Sequence, residues 1–187
     1  MRVSREKAAE NRERILAVAG TLFREKGFDG IGLSEIMKGA GLTHGGFYGH
    51  FASKEDLAAE ASRAALGRSA RRWRQVVEQS ERPLAAITDH YLSVVQRDAP
   101  GGACAFPALG AEAARQGGAV RASFTKGMED LVGILAELAP GRTQAARRKR
   151  ALAMFSTMVG AMLLARAVNE DTLSKEVLAA AAADILG

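Results

Sequence analysis

IGLSEIMKGAGLTHGGFYGHFASKEDL, residues 31–57, divides into three short pieces. Leu33 to Ala40 places Ile36 and Met37 on one side and predicts a short helix, with Gly32 as a second-rank N-cap. Gly41 breaks that helix, and Leu42 fills the angle beyond it. Thr43 caps a second helix, His44 to Phe51, whose buried side carries Phe47 and Phe51. Ser53 caps a third, with Glu55 and Asp56 in its first turn complementing the helix dipole. Two short helices joined by a tight glycine turn, the second polar on its exposed face, form the layout of a helix-turn-helix that enters the major groove.

The flanking sequence is helical in both directions. Upstream, Ile15, Leu16, Ala19, Leu22 and Phe23 form one apolar face of a helix from about Ser4 to Lys26, and Gly27 stops it. The near end of polar residues 1–10 reads as a mobile arm. Downstream, helices are expected from Ser53 to about Gln79, Pro83 to Arg97, Phe106 to Gln116, Val120 to Leu138, Thr143 to about Asn169 and Leu173 to Leu186. The pattern predicts an all-α chain of about nine helices. A three-helix helix-turn-helix DNA-binding domain (1–52) precedes a larger helical domain (53–187), with no Pro/Gly/Ser-rich linker between them.

The net charge is +5, and residues 1–75 hold 14 Lys/Arg against 9 Asp/Glu, so the whole excess falls in the half with the helix-turn-helix pattern. A phosphate backbone requires such a surface, although a solvated face with a chance excess reads the same way. One cysteine excludes an internal disulfide framework. The charged N-terminus has no apolar signal core, and the uncharged stretch Ala151 to Ala165 is too short to span a bilayer. A soluble cytoplasmic protein without membrane contact is expected.

Arg14-Ile15-Leu16, Leu22-Phe23, Gly27-Phe28, Ile36, Ala40-Gly41-Leu42, Phe47-Tyr48-x-His50-Phe51 and Ser53-Lys54-Glu55-x-Leu57 make residues 10–57 resemble the tetracycline-repressor (TetR-like) family of bacterial transcription regulators. The resemblance covers about a quarter of the chain. It implies that Tyr48 and Lys54, at the matching positions, contact phosphate. Thr43, His44 and Gly45 occupy the leading end of the recognition helix, where base edges are met. Gly45 and Gly46 let the backbone approach closely, or are simply tolerated surface glycines, and His50 contributes at the surface. His44 and His50 face different sides of the helix and make no metal pair. The chain departs from the family at Ile31-Gly32, where a hydroxyl residue commonly touches phosphate, so that contact passes to Ser34 or is absent. Met37 replaces a small core residue.

Ala151 to Ala165 is apolar all round, with Leu152, Met154, Phe155, Met158, Val159, Met162, Leu163 and Leu164. Such a helix must be covered on two sides, by its own domain or by a partner. The last helix adds Leu173, Val177, Leu178, Ala181 and Ile185. Pairing both helices with their twins gives a homodimer through a four-helix bundle, an arrangement the resemblance also implies. The family further implies a small-molecule effector pocket. Its candidates are Trp73, Val77, Ile87, His90, Tyr91, Val94, Cys104, Phe106, Leu109, Phe124 and Met128, with His90 and Tyr91 as the orienting polar groups.

No paired carboxylates, metal-ligand spacing or nucleophile constellation is present in the sequence, so no enzyme, cofactor or metal is expected. The reading is a ligand-responsive repressor, released from a pseudo-palindromic double-stranded operator by a small molecule. Two alternatives remain. Cys104, at a helix start, can be a reactive thiol that senses oxidants or electrophiles. Otherwise the protein binds DNA without any ligand.

Overall fold

The structure, a computed structural model, describes residues 5–187. Among these residues the regular structure is helical: α1 (Arg5–Lys26), α2 (Leu33–Gly39), a 3₁₀ helix (His44–Gly49), α3 (Lys54–Gln79), α4 (Pro83–Tyr91), α5 (Val94–Asp98), α6 (Ala105–Ala113), α7 (Gly118–Leu138), α8 (Gln144–Ala167) and α9 (Asp171–Leu186). The near end of the expected N-terminal arm, residues 1–4, lies outside the described residues, and residues 5–10 form the first turns of α1, in keeping with the expected helix start near Ser4.

α1, α2 and the 3₁₀ helix close around Phe23, Phe28, Ile36, Met37, Phe47 and Phe51, all buried. Gly41 makes the turn between the two short helices at φ +68, a conformation that disfavours a side chain. α3 carries this cluster into the body of the protein by packing along α1 on one side and α7 on the other. The α3–α7 approach is close because Gly127 lies against Leu66: a Cβ there would sit 2.5 Å from Leu66 Cδ1. The apolar core is therefore continuous from α1 to α9, and the boundary expected at residue 52 is not a break in packing.

Four expectations change. The helix expected from Pro83 to Arg97 is broken at Leu92-Ser93, because the Ser93 hydroxyl donates to the His90 carbonyl (2.9 Å) and accepts from the Gln96 N–H (3.2 Å). That side chain satisfies backbone groups of both helices and makes a new cap. The helix expected over Phe106–Gln116 is α6, which begins one residue earlier and gives way to turns at Ala114. The recognition segment is 3₁₀ rather than α, and the Thr43 side chain makes no cap hydrogen bond. Gly45, Gly46 and Gly49 in six residues leave little α preference to resist the tighter winding. Finally, α8 is 24 residues long and, by length and composition, apolar enough to cross a membrane, so the argument from a short uncharged stretch fails. Its buried side packs on α7 and α9 within the helical body.

The charge also lies elsewhere than expected. Residues 1–62 contain nine basic and nine acidic side chains, so the excess resides in Arg63, Arg68, Arg71, Arg72 and Arg74. These are exposed on the C-terminal two thirds of α3, beyond the helix-turn-helix, and none forms an ion pair among the described residues.

Candidate nucleic-acid interface and effector cleft

Phe47 holds the recognition segment in place. It is fully buried, stacks on Phe51 with centroids 5.8 Å apart, and meets the Tyr48 ring edge-on at 5.2 Å. Tyr48, one residue further, is 68 % exposed. Thr43, His44, Gly45 and Gly46 are exposed as well, and His50 is half-buried at the C-terminal end. A Cβ at Gly45 would meet nothing within 4 Å, and one at Gly46 would touch only Met37 Cε and Thr43 Oγ1 at ordinary distance. The fold therefore does not require glycine at either position. Met37 is accommodated fully buried, its methyl end beneath Gly46.

Ser34 is exposed on α2, with its hydroxyl 3.1 Å from His44 Nδ1. The pair ties the two short helices together and orients the imidazole at the tip of the recognition segment. Lys38 is one helical turn beyond Ser34 and equally exposed, a cation the sequence reading passed over although it directly precedes the turn. Lys54 is the first residue of α3. Its position is fixed by a reciprocal cap: Ser53 Oγ accepts from the Asp56 N–H (3.0 Å), and the Asp56 carboxylate accepts from the Ala52 N–H (3.2 Å). Arg12 braces the same corner, lying 4.7 Å over the Phe51 ring and ion-paired with Glu60. The surface thus combines a cation at a helix N-terminus, a phenol, an oriented imidazole and approachable backbone.

The effector candidates separate into two groups. Phe106, Phe124 and Met128 line an open cleft of about 270 Å³, joined by Arg121 and Thr125, which the sequence reading did not include. Trp73, Tyr91 and Cys104 do not join them; they are packed in the core at 3 %, 4 % and 7 % exposure. A chain of ring contacts connects the groups, from Tyr91 to Trp73 (5.9 Å), Phe155 (6.2 Å), Phe106 (5.1 Å) and Phe124 (5.1 Å). His90 is half-buried outside this cleft, its pKa lowered by burial and then by Arg72.

Cys104 is the N-cap of α6, where the thiol-sensing alternative requires a lowered thiol pKa. Burial raises it instead, against the opposing pull of the Phe106 N–H, the Tyr91 hydroxyl, Arg24 and Arg166. A buried thiol held in its neutral form is a poor nucleophile. Native protein is expected to resist iodoacetamide at pH 7.5 and to label stoichiometrically in denaturant, read by intact mass. Rapid native labelling would restore the thiol-sensing alternative.

The last two helices also sort differently from the sequence reading. Phe155, Met162, Leu178 and Ile185 are buried in their own protomer and are not available to a partner. Leu152 and Val159 are half-buried. Leu163, Leu164 and Leu173 are 43 %, 54 % and 46 % exposed. The outward residues of α8 from Ala153 through Ser156 and Leu163 to Ala167 carry no charge, and α9 exposes Ala179, Ala180 and Ala183 together with Lys175, Glu176 and Asp184.

Among the described residues, a helix-turn-helix is joined through the long α3 to a helical body. Residues 15–61 match the family model described as bacterial regulatory proteins, tetR family. That match spans the first three helical segments and the start of α3, so the N-terminal part of the chain is similar to the DNA-binding part of tetR-family proteins. Its N-terminal part is 44 % identical over 59 residues to the HTH-type transcriptional regulator AcrR of Shigella flexneri, covering 32 % of this chain and 27 % of that protein. It is 32 % identical over 82 residues to the HTH-type transcriptional repressor KstR2 of Mycobacterium tuberculosis H37Rv, covering 44 % and 41 %. These matches thus span less than half of the curated relatives' own lengths. Over the whole chain, the fold is similar to that of a TetR transcriptional regulator from Chloroflexus aurantiacus, with TM-score 0.79, 25 % identity and 97 % and 96 % of the two chains covered. It is also similar to the reduced form of NemR from E. coli, with TM-score 0.77, 24 % identity and 94 % and 95 % covered.

Proposed function

We propose that this protein is a ligand-responsive transcriptional repressor that binds a pseudo-palindromic DNA operator as a homodimer. The observation that carries the reading is the exposed edge Thr43, His44, Gly45 and Tyr48 standing on a fully buried Phe47, with Lys54 beside it at the start of α3. Residues 1–52 read DNA, and 53–187 supply dimerisation and effector binding. Tyr48 and Lys54 hold phosphate and set the docking register. Thr43 and the Ser34-oriented His44 meet base edges. The outer faces of α8 and α9 pair with their twins and place two recognition segments on successive major grooves.

The effector is a small, largely apolar molecule in the Phe106, Phe124 and Met128 cleft, its polar end toward Arg121. The cleft adjoins Phe155 of α8 through Phe106, so occupancy acts on the dimer helices and on the spacing of the reading heads. A near-complete release requires the effector to favour the released state by about 5.5 kcal/mol.

Selection from a random duplex pool, followed by titration over a salt series, tests the reading. Tyr48→Phe and Lys54→Ala are expected to weaken binding to all sequences, and Lys54→Ala to reduce the salt slope by about 1. Substituting Thr43 or His44 is expected to alter the selected sequence. Uniform losses from all four substitutions, with no change of preference, would refute the base-reading assignment.

A further inference from the structure

Where α1 faces α3 and α6, an arginine is buried without a carboxylate. Arg24 is 7 % exposed; its Nε and Nη2 both donate to the Gly101 carbonyl, and its Nη1 has no partner. Ser62 is 3 % exposed, and its hydroxyl is equally without a partner. Both line one narrow crevice with Gly20, Phe23, Ala61, Ala65, Ala105 and Leu109. Over the bare Cα of Gly20, Arg24 Nη1 and Arg68 Nη2 each lie 3.5 Å from the point a Cβ would occupy. Two guanidinium edges therefore converge on one spot. Burial and then Arg68 bring the Arg24 pKa down to about 10, with Cys104 and Glu25 acting in the opposite sense. A buried cation crowded by a second cation and held in no ion pair among the described residues is unfavourable unless an anion offsets it.

We propose that this crevice binds a small oxyanion, phosphate or carboxylate, between Arg24 Nη1 and Arg68, with the Ser62 hydroxyl donating a further hydrogen bond. Planar guanidinium forks suit both anions. The crevice is closed to a water-sized sphere as it stands, so Arg68, exposed at its edge, swings outward to admit the ligand. The site lies on α1 of the DNA-reading part and α3 of the body, and is separate from the cleft at Phe106. Binding there clamps the two parts together.

Thermal unfolding of the full chain in phosphate, sulfate or acetate, against chloride at equal ionic strength, tests the site without reference to DNA. A saturable rise in Tm with at least one oxyanion is expected. A response to phosphate and sulfate alone identifies a tetrahedral ligand, and a response to acetate a carboxylate. Gly20→Ala is expected to fold, because its methyl meets both nitrogens at ordinary contact distance and alanine favours the helix. That methyl projects between the two guanidinium edges and takes space the anion needs, so the rise is lost. Arg68→Gln is expected to move the midpoint to about tenfold higher anion concentration, the equivalent of one charge-assisted hydrogen bond. No rise above chloride, or an undiminished rise in Gly20→Ala, overturns the proposal.

Discussion

Leu164→Arg is expected to turn the protein into a folded monomer and to weaken operator binding by about 10²–10⁴-fold, the avidity lost when two linked reading heads become one. Leu164 is 54 % exposed on the outer face of α8, so its replacement removes little from the protomer's own core. Across a two-fold axis each arginine approaches its twin or an uncharged surface, and either arrangement costs desolvation without a partner charge. Arginine is the informative choice because its added positive charge favours DNA and therefore works against the expected loss. Light scattering gives the mass, circular dichroism the retained helix, and titration with the selected duplex the affinity. A variant that remains dimeric and binds unchanged would remove α8 from the interface.

Phe155→Ala is expected to cost about 3–5 kcal/mol, the range for emptying an aromatic site in a packed core. Phe155 is 2 % exposed, and its ring contacts both Trp73 and Phe106, so the void opens in the middle of the aromatic chain. For a chain of this length each kcal/mol moves Tm by about 2–4 °C, giving a drop of roughly 6–20 °C. The measurement belongs at fixed protein concentration, because dimerisation adds to apparent stability. A shift below about 2 °C would mean that the ring is not part of the core, since even 1 kcal/mol moves Tm by that much. The two substitutions also discriminate between surfaces on one helix: Leu164→Arg alters assembly and spares the fold, whereas Phe155→Ala weakens the fold first.

The helix-turn-helix was legible because its signals are local. Gly41 needs a positive φ, Ser53 accepts from the Asp56 N–H while Asp56 accepts from the Ala52 N–H, and Phe47 and Phe51 alternate with polar neighbours within a single turn or two. The break at Ser93 was less legible, since serine is tolerated in a helix and only the His90 carbonyl and the Gln96 N–H reveal it as a cap. The 3₁₀ winding of the recognition segment was not legible, because its three glycines fit close approach or simple surface tolerance equally well.

The chain's local chemistry, its glycine turns, serine caps and apolar periodicity, determined by itself that the protein is helical, that a helix-turn-helix lies near its start and that its last two helices are strongly apolar. Tertiary structure alone decided which apolar groups are core and which are surface. Phe155 and Leu164 are indistinguishable in hydropathy, and only the packing of α8 against α7 and α9 buries one and exposes the other. The same holds for charge: Arg24 is unremarkable at the end of α1 until α3 and α6 cover it and Arg68 folds in beside it. Periodicity reports the faces of a single helix, whereas burial and the field at a side chain are sums over neighbours that are distant in sequence.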